Sequence, residues 1–381
     1  MKELGIYIHI PFCVRKCYYC DFVSYTNKQE MVKEYVKCLK KEIDSYNLDK
    51  YEVTTIYIGG GTPSFIESSY IKEIIDCLKD KLQNNNTKFN EIETTIEVNP
   101  GTVNLEKLKQ YKEVGINRIS IGLQSSNDKL LKEIGRIHKY EEFLKTYNMA
   151  REVGFKNINV DLMIGLPNQT IEDLKNTIEN IINLNPEHIS VYSLILEENT
   201  KMEELVEKEK VKLPEEDIER QMYWYVKNKL ELNKYFQYEI SNFSKNEKES
   251  RHNLNCWEQK EYIGLGVAAH SYIERKRYSN TNNIEEYIQN IKSNNIPINR
   301  TIHEIQDIEI AKKEYMMLGL RKINGVSIKK FKEKYGENPI YIFRKELDKL
   351  VKENLIEIDL DNIKLTNKGL DFANLVFEEF C

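Results

Sequence analysis

No part of this chain approaches the ~18 consecutive apolar residues of a membrane-spanning helix. Its first residues, Met1 to Leu4, lead directly into a strand-like segment without the apolar core of a secretion signal. An excess of charge of one sign is also missing: 56 basic and 61 acidic side chains are mixed along the chain and leave a net charge of −5. Without a basic stripe, nucleic acid is not an expected partner. No internal repeat at solenoid spacing is visible. The cysteines do not divide into pairs, since there are seven of them and three crowd into residues 13–20. In a secreted protein that crowding would mean a strained disulfide knot, whereas in the reducing cytosol it points to metal. The expectation is a cytoplasmic protein with no membrane span.

What is present is ample apolar material: 40% of 381 residues, enough for one large domain and a smaller one. The first two hundred residues alternate short β-branched runs with amphipathic stretches. Strands are predicted over 5–10, 54–58, 93–98, 118–121, 157–163 and 188–194. Helices are predicted over 31–46, 70–82, 105–114, 143–153 and 171–184. In the second of these, Ile71, Ile74, Ile75 and Leu78 recur at three- and four-residue steps and mark one helix face. Six such units imply an α/β fold, a partial (β/α)6 barrel with right-handed crossovers. Chemistry in such barrels gathers at the C-terminal ends of the strands.

After Pro214 the pattern changes. A helix over 216–232 leads to a strand-like 238–243, a glycine-bearing segment over 262–271, and a polar, Asn-rich stretch over 280–300 that reads as a connector. Helices over 307–320, 327–335 and 341–353 precede a hairpin over 356–365 turning at Asp361 and Asn362. The expected division is therefore a barrel over 1–235, an extension over 236–300, and a mostly helical, winged-helix-like domain over 301–381. Lacking a basic recognition helix, that last domain reads as a packing or partner module.

The sharpest signal is Cys13-x3-Cys17-x2-Cys20, placed in a loop just after the first strand. Thiolates are soft ligands suited to iron–sulfur clusters. Three of them leave one iron of a [4Fe–4S] cube free, the iron that chelates S-adenosylmethionine (SAM) in radical SAM enzymes. A structural zinc site or chance clustering of buried thiols are the alternatives. Zinc usually takes four ligands in two separated pairs, with His9 as the available fourth, and the three-then-two spacing fits a cluster better. Cys38, Cys77 and Cys381 read as small apolar or surface residues.

Polar groups recur at the mouths of the following strands. The second ends in Gly59, Gly60, Gly61, Thr62 and Pro63, and glycines there let backbone approach a ligand closely. Glu97 lies at the end of the third, ahead of Asn99, Pro100 and Gly101, and could accept hydrogen bonds from the SAM ammonium or ribose. Gln124 follows the fourth, and Arg136 comes after it. Asp161 lies inside the fifth, where a charge needs a buried partner or a ligand. Singly these are turn glycines or solvated strand ends; together they line one end of a barrel.

These residues resemble the coproporphyrinogen dehydrogenase-like radical SAM family. The segment from Tyr7 through the three cysteines to Phe22 looks like that family's opening. Blocks 59–64, 97–100, 118–125, 135–138 and 161–167 are similar to its later motifs, and the resemblance spans nearly the whole chain. It implies a radical SAM barrel with a [4Fe–4S] cluster on Cys13, Cys17 and Cys20, flanked by Tyr7 and Tyr19. It implies SAM contacts from Gly60, Gly61, Thr62, Glu97, Gln124, Arg136 and Asp161.

Two branches of the family differ at position 22. The oxygen-independent oxidases carry an extra cysteine there; here it is Phe22, and the Asp21–Phe22 ending is similar to the haem chaperone branch. That branch also carries a His-Asn-x-x-Tyr-Trp motif proposed to bind haem. The present chain has His252, Asn253, Cys256 and Trp257, so a cysteine replaces the tyrosine. The resemblance makes His252 a candidate iron ligand and Trp257 a flat surface for a porphyrin; bottom up, a His in such a loop more often packs or faces solvent. His270 could line the same cavity or simply pack against it. The implied function is a chaperone that carries haem to recipient apoproteins, with coproporphyrinogen III decarboxylation as the alternative. A low-potential electron donor is implied as a partner, and a homodimer is compatible with the sequence.

Overall fold

The computed structural model describes residues 1–83, 88–293 and 300–381. Its first half is the expected alternation. Strands β1 (Lys2–Ile10), β2 (Tyr51–Gly60), β3 (Glu93–Val98), β4 (Arg118–Gln124), β5 (Ile158–Ile164) and β6 (His188–Ser193) lie side by side in chain order, all parallel. The helices α1 (Val32–Ser45), α2 (Ser68–Leu82), α3 (Leu105–Glu113), α4 (Asp128–Glu133), α5 (Tyr140–Val153) and α6 (Ile171–Leu184) occur between them. α4 is a short helix absent from the expected set. Its Asn127 N-cap accepts from Lys129 N, and Leu130 and Leu131 are buried.

Each strand sends one set of side chains to the helices and the other into the barrel. Ile6, Ile8, Ile56, Ile58, Ile96, Ile119, Ile121, Val160 and Leu162 are essentially inaccessible and belong to one core with the helices. Tyr7, Tyr57, Glu97, Ser120 and Asp161 lie on the alternate positions. Both faces are covered, so the polar members of the inward set are buried or half-buried, while the apolar set meets the helices.

The sheet does not stop at residue 235. After α7 (Lys201–Glu207) and α8 (Glu216–Leu232), the hairpin β7 (Phe236–Glu239) and β8 (Asn242–Ser244) adds antiparallel to β6. The chain then crosses through α9 (Arg251–Trp257) to the other edge. There β9 (Glu261–Leu265) pairs parallel to β1, followed by β10 (His270–Ile273), β11 (Lys276–Asn280) and, after α10 (Ile284–Lys292), β12 (Arg300–Ile305). The result is one open sheet of 12 strands among the described residues. The Asn-rich stretch predicted as a connector is thus mostly ordered structure. Ile284, Tyr287, Ile288 and Ile291 are buried along α10, and its N-cap Asn283 accepts from Glu286 N. The remainder of that stretch, 294–299, lies outside the described residues.

The last module has a core of its own around Met316, Leu320, Phe331, Leu347 and Ile363. It comprises α11 (Ile308–Gly319), β13 (Val326–Ser327), α12 (Ile328–Tyr335), α13 (Pro339–Ile342), α14 (Arg344–Lys352), β14 (Ile356–Ile358), β15 (Asn362–Leu365), α15 (Asn367–Asp371) and α16 (Ala373–Glu378). The three strands pair in the order β13-β15-β14, a winged-helix-like arrangement. The hairpin turns over 359–361, one residue earlier than predicted, because the Asp359 carboxylate accepts from Asp361 N and Asn362 N. It docks through polar contacts, including Trp224 Nε1 to Asp371 at 2.8 Å and the Arg321 guanidinium over the Trp257 ring.

Candidate functional site

The three cysteines lie on the loop leaving β1, and the sheet's own backbone pins that loop. Cys13 N donates to Tyr25 O and Tyr25 N to Pro11 O, at 3.0 and 2.7 Å. From β2, Gly61 N reaches Ile10 O and Thr62 N reaches Phe12 O, both at 2.9 Å. A Cβ on Gly61 would stand 3.0 Å from Cys13 Sγ and from Phe12 O, so a larger residue would push these neighbours away. Gly60 holds φ +113°, a second position that favours glycine.

A series of polar contacts, its two ends on the cysteine loop, joins that loop to the strand mouths and is closed into a ring by the loop backbone. Cys13 Sγ lies 3.4 Å from Thr62 Oγ1, which accepts from Asn99 Nδ2 at 2.9 Å. Asn99 Oδ1 accepts from Arg136 Nη2 at 2.9 Å, and Arg136 Nη1 points at Cys17 Sγ at 3.6 Å. Arg136 also donates to Gly122 O at 2.6 Å. Two buried polar atoms beside this ring, Arg136 Nε and Gln124 Oε1, have no hydrogen-bond partner among the described residues. Gln124 is the final residue of β4, with a left-handed backbone at φ 69°. Unpartnered buried donors and acceptors of this kind fit a ligand that completes them.

The three thiols share one short loop, and thiolate is the donor type that suits iron–sulfur clusters. Burial pushes Cys13 up from its ordinary value and Cys20 up to about 11. Metal coordination replaces the proton and removes that penalty. Tyr19 is buried against Cys17 and its phenol is pushed up by burial. A cluster with SAM bound would supply reductive cleavage of a C–S bond; the residues named here would hold the two groups.

Deeper in the barrel the polar groups are partnered. Tyr57 OH donates to Glu97 Oε1 at 2.9 Å, and burial raises the Glu97 carboxyl to about 7. Asp161 accepts from Ser120 Oγ at 2.8 Å and Asn159 Nδ2 at 2.7 Å, and burial pushes its carboxyl up as well. His188 lies between Asn159 Oδ1 and Tyr238 OH, at 2.6 and 2.8 Å. Sequence reading missed Tyr57, Asn159, His188 and the ring member Asn99. The inward phase of their strands was the available signal for the first three.

A cavity of about 890 Å³ opens beside the cysteine loop and is lined by Asp21, Phe22, Val23, Tyr7, His9, His252, Cys256 and His270, among others. Phe22 is 61% exposed at its rim. His9 Nε2 donates to Val23 O at 2.8 Å, so its Nδ1 accepts from Tyr7 OH at 3.0 Å. Burial holds His9 neutral, at about 4. His252 stands on α9 rather than in a loop, and Arg251 N and His252 N both donate to the Glu93 carboxylate. Its ring stacks on Tyr57 at 5.1 Å, its Nδ1 lies 2.9 Å from Thr55 Oγ1, and burial lowers its pKa to about 4.

Trp257 is not brought to this cavity. It ends α9 with its ring beneath Arg321 of the last module, so it offers no porphyrin surface beside His252. Trp257 lies five residues on from His252, about 1.4 turns along the helix, so its side chain leaves from a different face. The predicted site residues therefore fall into three groups, at the barrel mouth, deeper in the barrel and in the cavity, and Tyr57 links the second to the third through Glu97 and His252. Among the described residues no helix is long and apolar enough to cross a membrane.

Comparison with known proteins gives this geometry a family. The Radical SAM superfamily model matches residues 7–181, and the HemN C-terminal domain model matches residues 311–372. The chain is 40% identical over 376 residues to the heme chaperone HemW of Bacillus subtilis (strain 168), covering 98% of each chain. It is 33% identical over 393 residues to the heme chaperone HemW of Escherichia coli (strain K12), covering 100% of this chain and 98% of that one. The fold is similar to that of the radical SAM enzyme coproporphyrinogen III oxidase (HemN) from Escherichia coli. That match has a TM-score of 0.85 at 23% identity and covers 100% of this chain and 90% of the other. The family implies a [4Fe–4S] cluster and SAM, for which the cysteine loop and the ring beside it are suited. With full-length similarity at these identities, the chain belongs to the HemW family of radical SAM proteins.

Proposed function

We propose that this protein binds haem in the cavity beside the cysteine loop and passes it to recipient apoproteins. The observation that carries this reading is the cavity itself. It is large enough for a cofactor-sized ligand, it holds a buried neutral imidazole at His252, and it opens beside the residues suited to the cluster. A neutral imidazole is an effective haem ligand. Cys13, Cys17 and Cys20 would hold the cluster. Gly60, Gly61, Thr62, Gln124 and Arg136 would hold SAM at the mouth, with Tyr7, Tyr19, Glu97 and Asp161 behind them. The names of the relatives support transfer of haem, and Phe22 in place of a further cysteine supports it over coproporphyrinogen III decarboxylation. A low-potential electron donor, a cytoplasmic location and a homodimer complete the proposal.

The test is anaerobic reconstitution followed by incubation with coproporphyrinogen III, SAM and a low-potential reductant. The readouts are protoporphyrinogen and 5′-deoxyadenosine, with a titration of reduced haem in parallel. We expect no protoporphyrinogen, and haem retention that His252→Ala weakens tenfold or more. Protoporphyrinogen over many turnovers would overturn the chaperone reading.

A further inference from the structure

His252 and Cys256 stand four residues apart on α9 and line the same cavity. Residues at that spacing project from one face of a helix, one turn above the other. Cys256 is a free cysteine whose sulfur makes no hydrogen bond among the described residues. His252 is only 8% exposed, and Thr55 lies at its Nδ1. The Thr55 hydroxyl engages Nδ1 at 2.9 Å and fixes the ring, which leaves Nε2 as the nitrogen for a ligand. The cavity thus presents two donors of different charge and softness from one wall.

We propose that Cys256 supplies a thiolate ligand to ferric haem iron in this cavity and that His252 replaces it when the iron is reduced. The proposal rests on the reading that the cavity takes haem. Two side chains on one helix face cannot sit on opposite sides of a porphyrin plane, so they are alternative ligands to the same side of the iron. Ferric iron carries the extra positive charge that an anionic thiolate compensates; ferrous iron takes a neutral imidazole more readily. When ferric haem binds, the Cys256 S–H bond breaks, an Fe–S bond forms, and the proton leaves to water. A one-electron, low-potential reductant then converts Fe(III) to Fe(II). The Fe–S bond breaks, Cys256 takes up one proton, and the His252 Nε2–Fe bond forms. Haem would be held through sulfur in one oxidation state and through nitrogen in the other, which gives the protein a redox-dependent grip on its cargo.

The experiment is an anaerobic haem titration of the full chain, read by absorption and electron paramagnetic resonance, first ferric and then after dithionite. Wild-type ferric protein should show the electron paramagnetic resonance signature of thiolate ligation, a narrow low-spin g-spread with water on the opposite face or a rhombic high-spin signal without it, and the sulfur-to-iron charge-transfer band. Cys256→Ser should lose both features while its dithionite-reduced spectrum stays that of wild type. His252→Ala should keep the ferric thiolate signature and lose the wild-type ferrous spectrum. A wild-type ferric spectrum without a sulfur signature overturns the proposal, as does one that Cys256→Ser leaves unchanged. Because the wild type is read directly, a variant that failed to fold would not remove the test. Wild-type protein that takes up no haem at all overturns the cavity reading, and this proposal with it.

Discussion

Glu97 is a residue whose ionisation shapes the pH response of the barrel. Its carboxyl lies deep among the strands and takes a hydrogen bond from Tyr57, yet burial still raises it from an ordinary 4.5 to about 7. In the folded protein it keeps its proton up to near neutrality, while in the unfolded chain it ionises near its ordinary value. A raised folded-state value means that this carboxyl's contribution is fully present below about pH 4.5 and is lost as pH rises towards 7. At about 1.4 kcal/mol per pH unit, that interval corresponds to about 3 kcal/mol. Glu97→Gln keeps the shape and an acceptor for Tyr57 but cannot ionise. Its stability relative to wild type should therefore rise by roughly 2–3 kcal/mol between pH 5 and pH 8, a shift of several degrees in Tm. The assay is thermal unfolding of the cluster-loaded, SAM-free protein under anaerobic conditions at both pH values. Equal differences between the two proteins at pH 5 and pH 8 would refute the reasoning, because they would mean that Glu97 titrates as an exposed carboxyl does.

Gly61→Ala places a methyl against Cys13 Sγ and two backbone carbonyls, so we expect a cost of about 1–3 kcal/mol and a fall in iron bound after reconstitution, measured by iron and sulfide analysis. Arg136→Met removes the bonds to Asn99, Gly122 and Cys17 together; SAM affinity measured by equilibrium dialysis should fall tenfold or more, about 1.4 kcal/mol. Trp257→Ala should leave the haem titration unchanged while lowering Tm, since its ring supports Arg321 with a cation–π contact of about 1 kcal/mol in addition to its buried area.

Much of the barrel was legible because its signals are local. The 171–184 helix has the predicted bounds, since Thr170 and Asp173 form a capping box and Asn185 ends the helix at φ 57°. The cysteine triplet was legible because metal-ligand spacing is itself a sequence property. Other elements depend on partners far along the chain. The polar stretch after 280 carries a helix because Ile284, Tyr287, Ile288 and Ile291 meet α1, whose residues lie some 250 positions earlier.

The sequence by itself determined the six βα units, the cysteine loop, the strand-end polar groups and the helices and wing of the last module. Each follows from hydrophobic period, turn chemistry or ligand spacing within a few residues. Only the tertiary structure decided which of those groups meet. It closed Cys13, Thr62, Asn99, Arg136 and Cys17 into one ring, because parallel strands bring their C-terminal ends to a common edge. It carried the chain across to the far edge of the sheet, setting α9 against β2 so that His252 stacks on Tyr57 and shares a cavity with Cys256. The same helix turned Trp257 away toward Arg321. Side-chain direction around a short helix depends on what packs against it, and that partner stands 64 residues further along the chain.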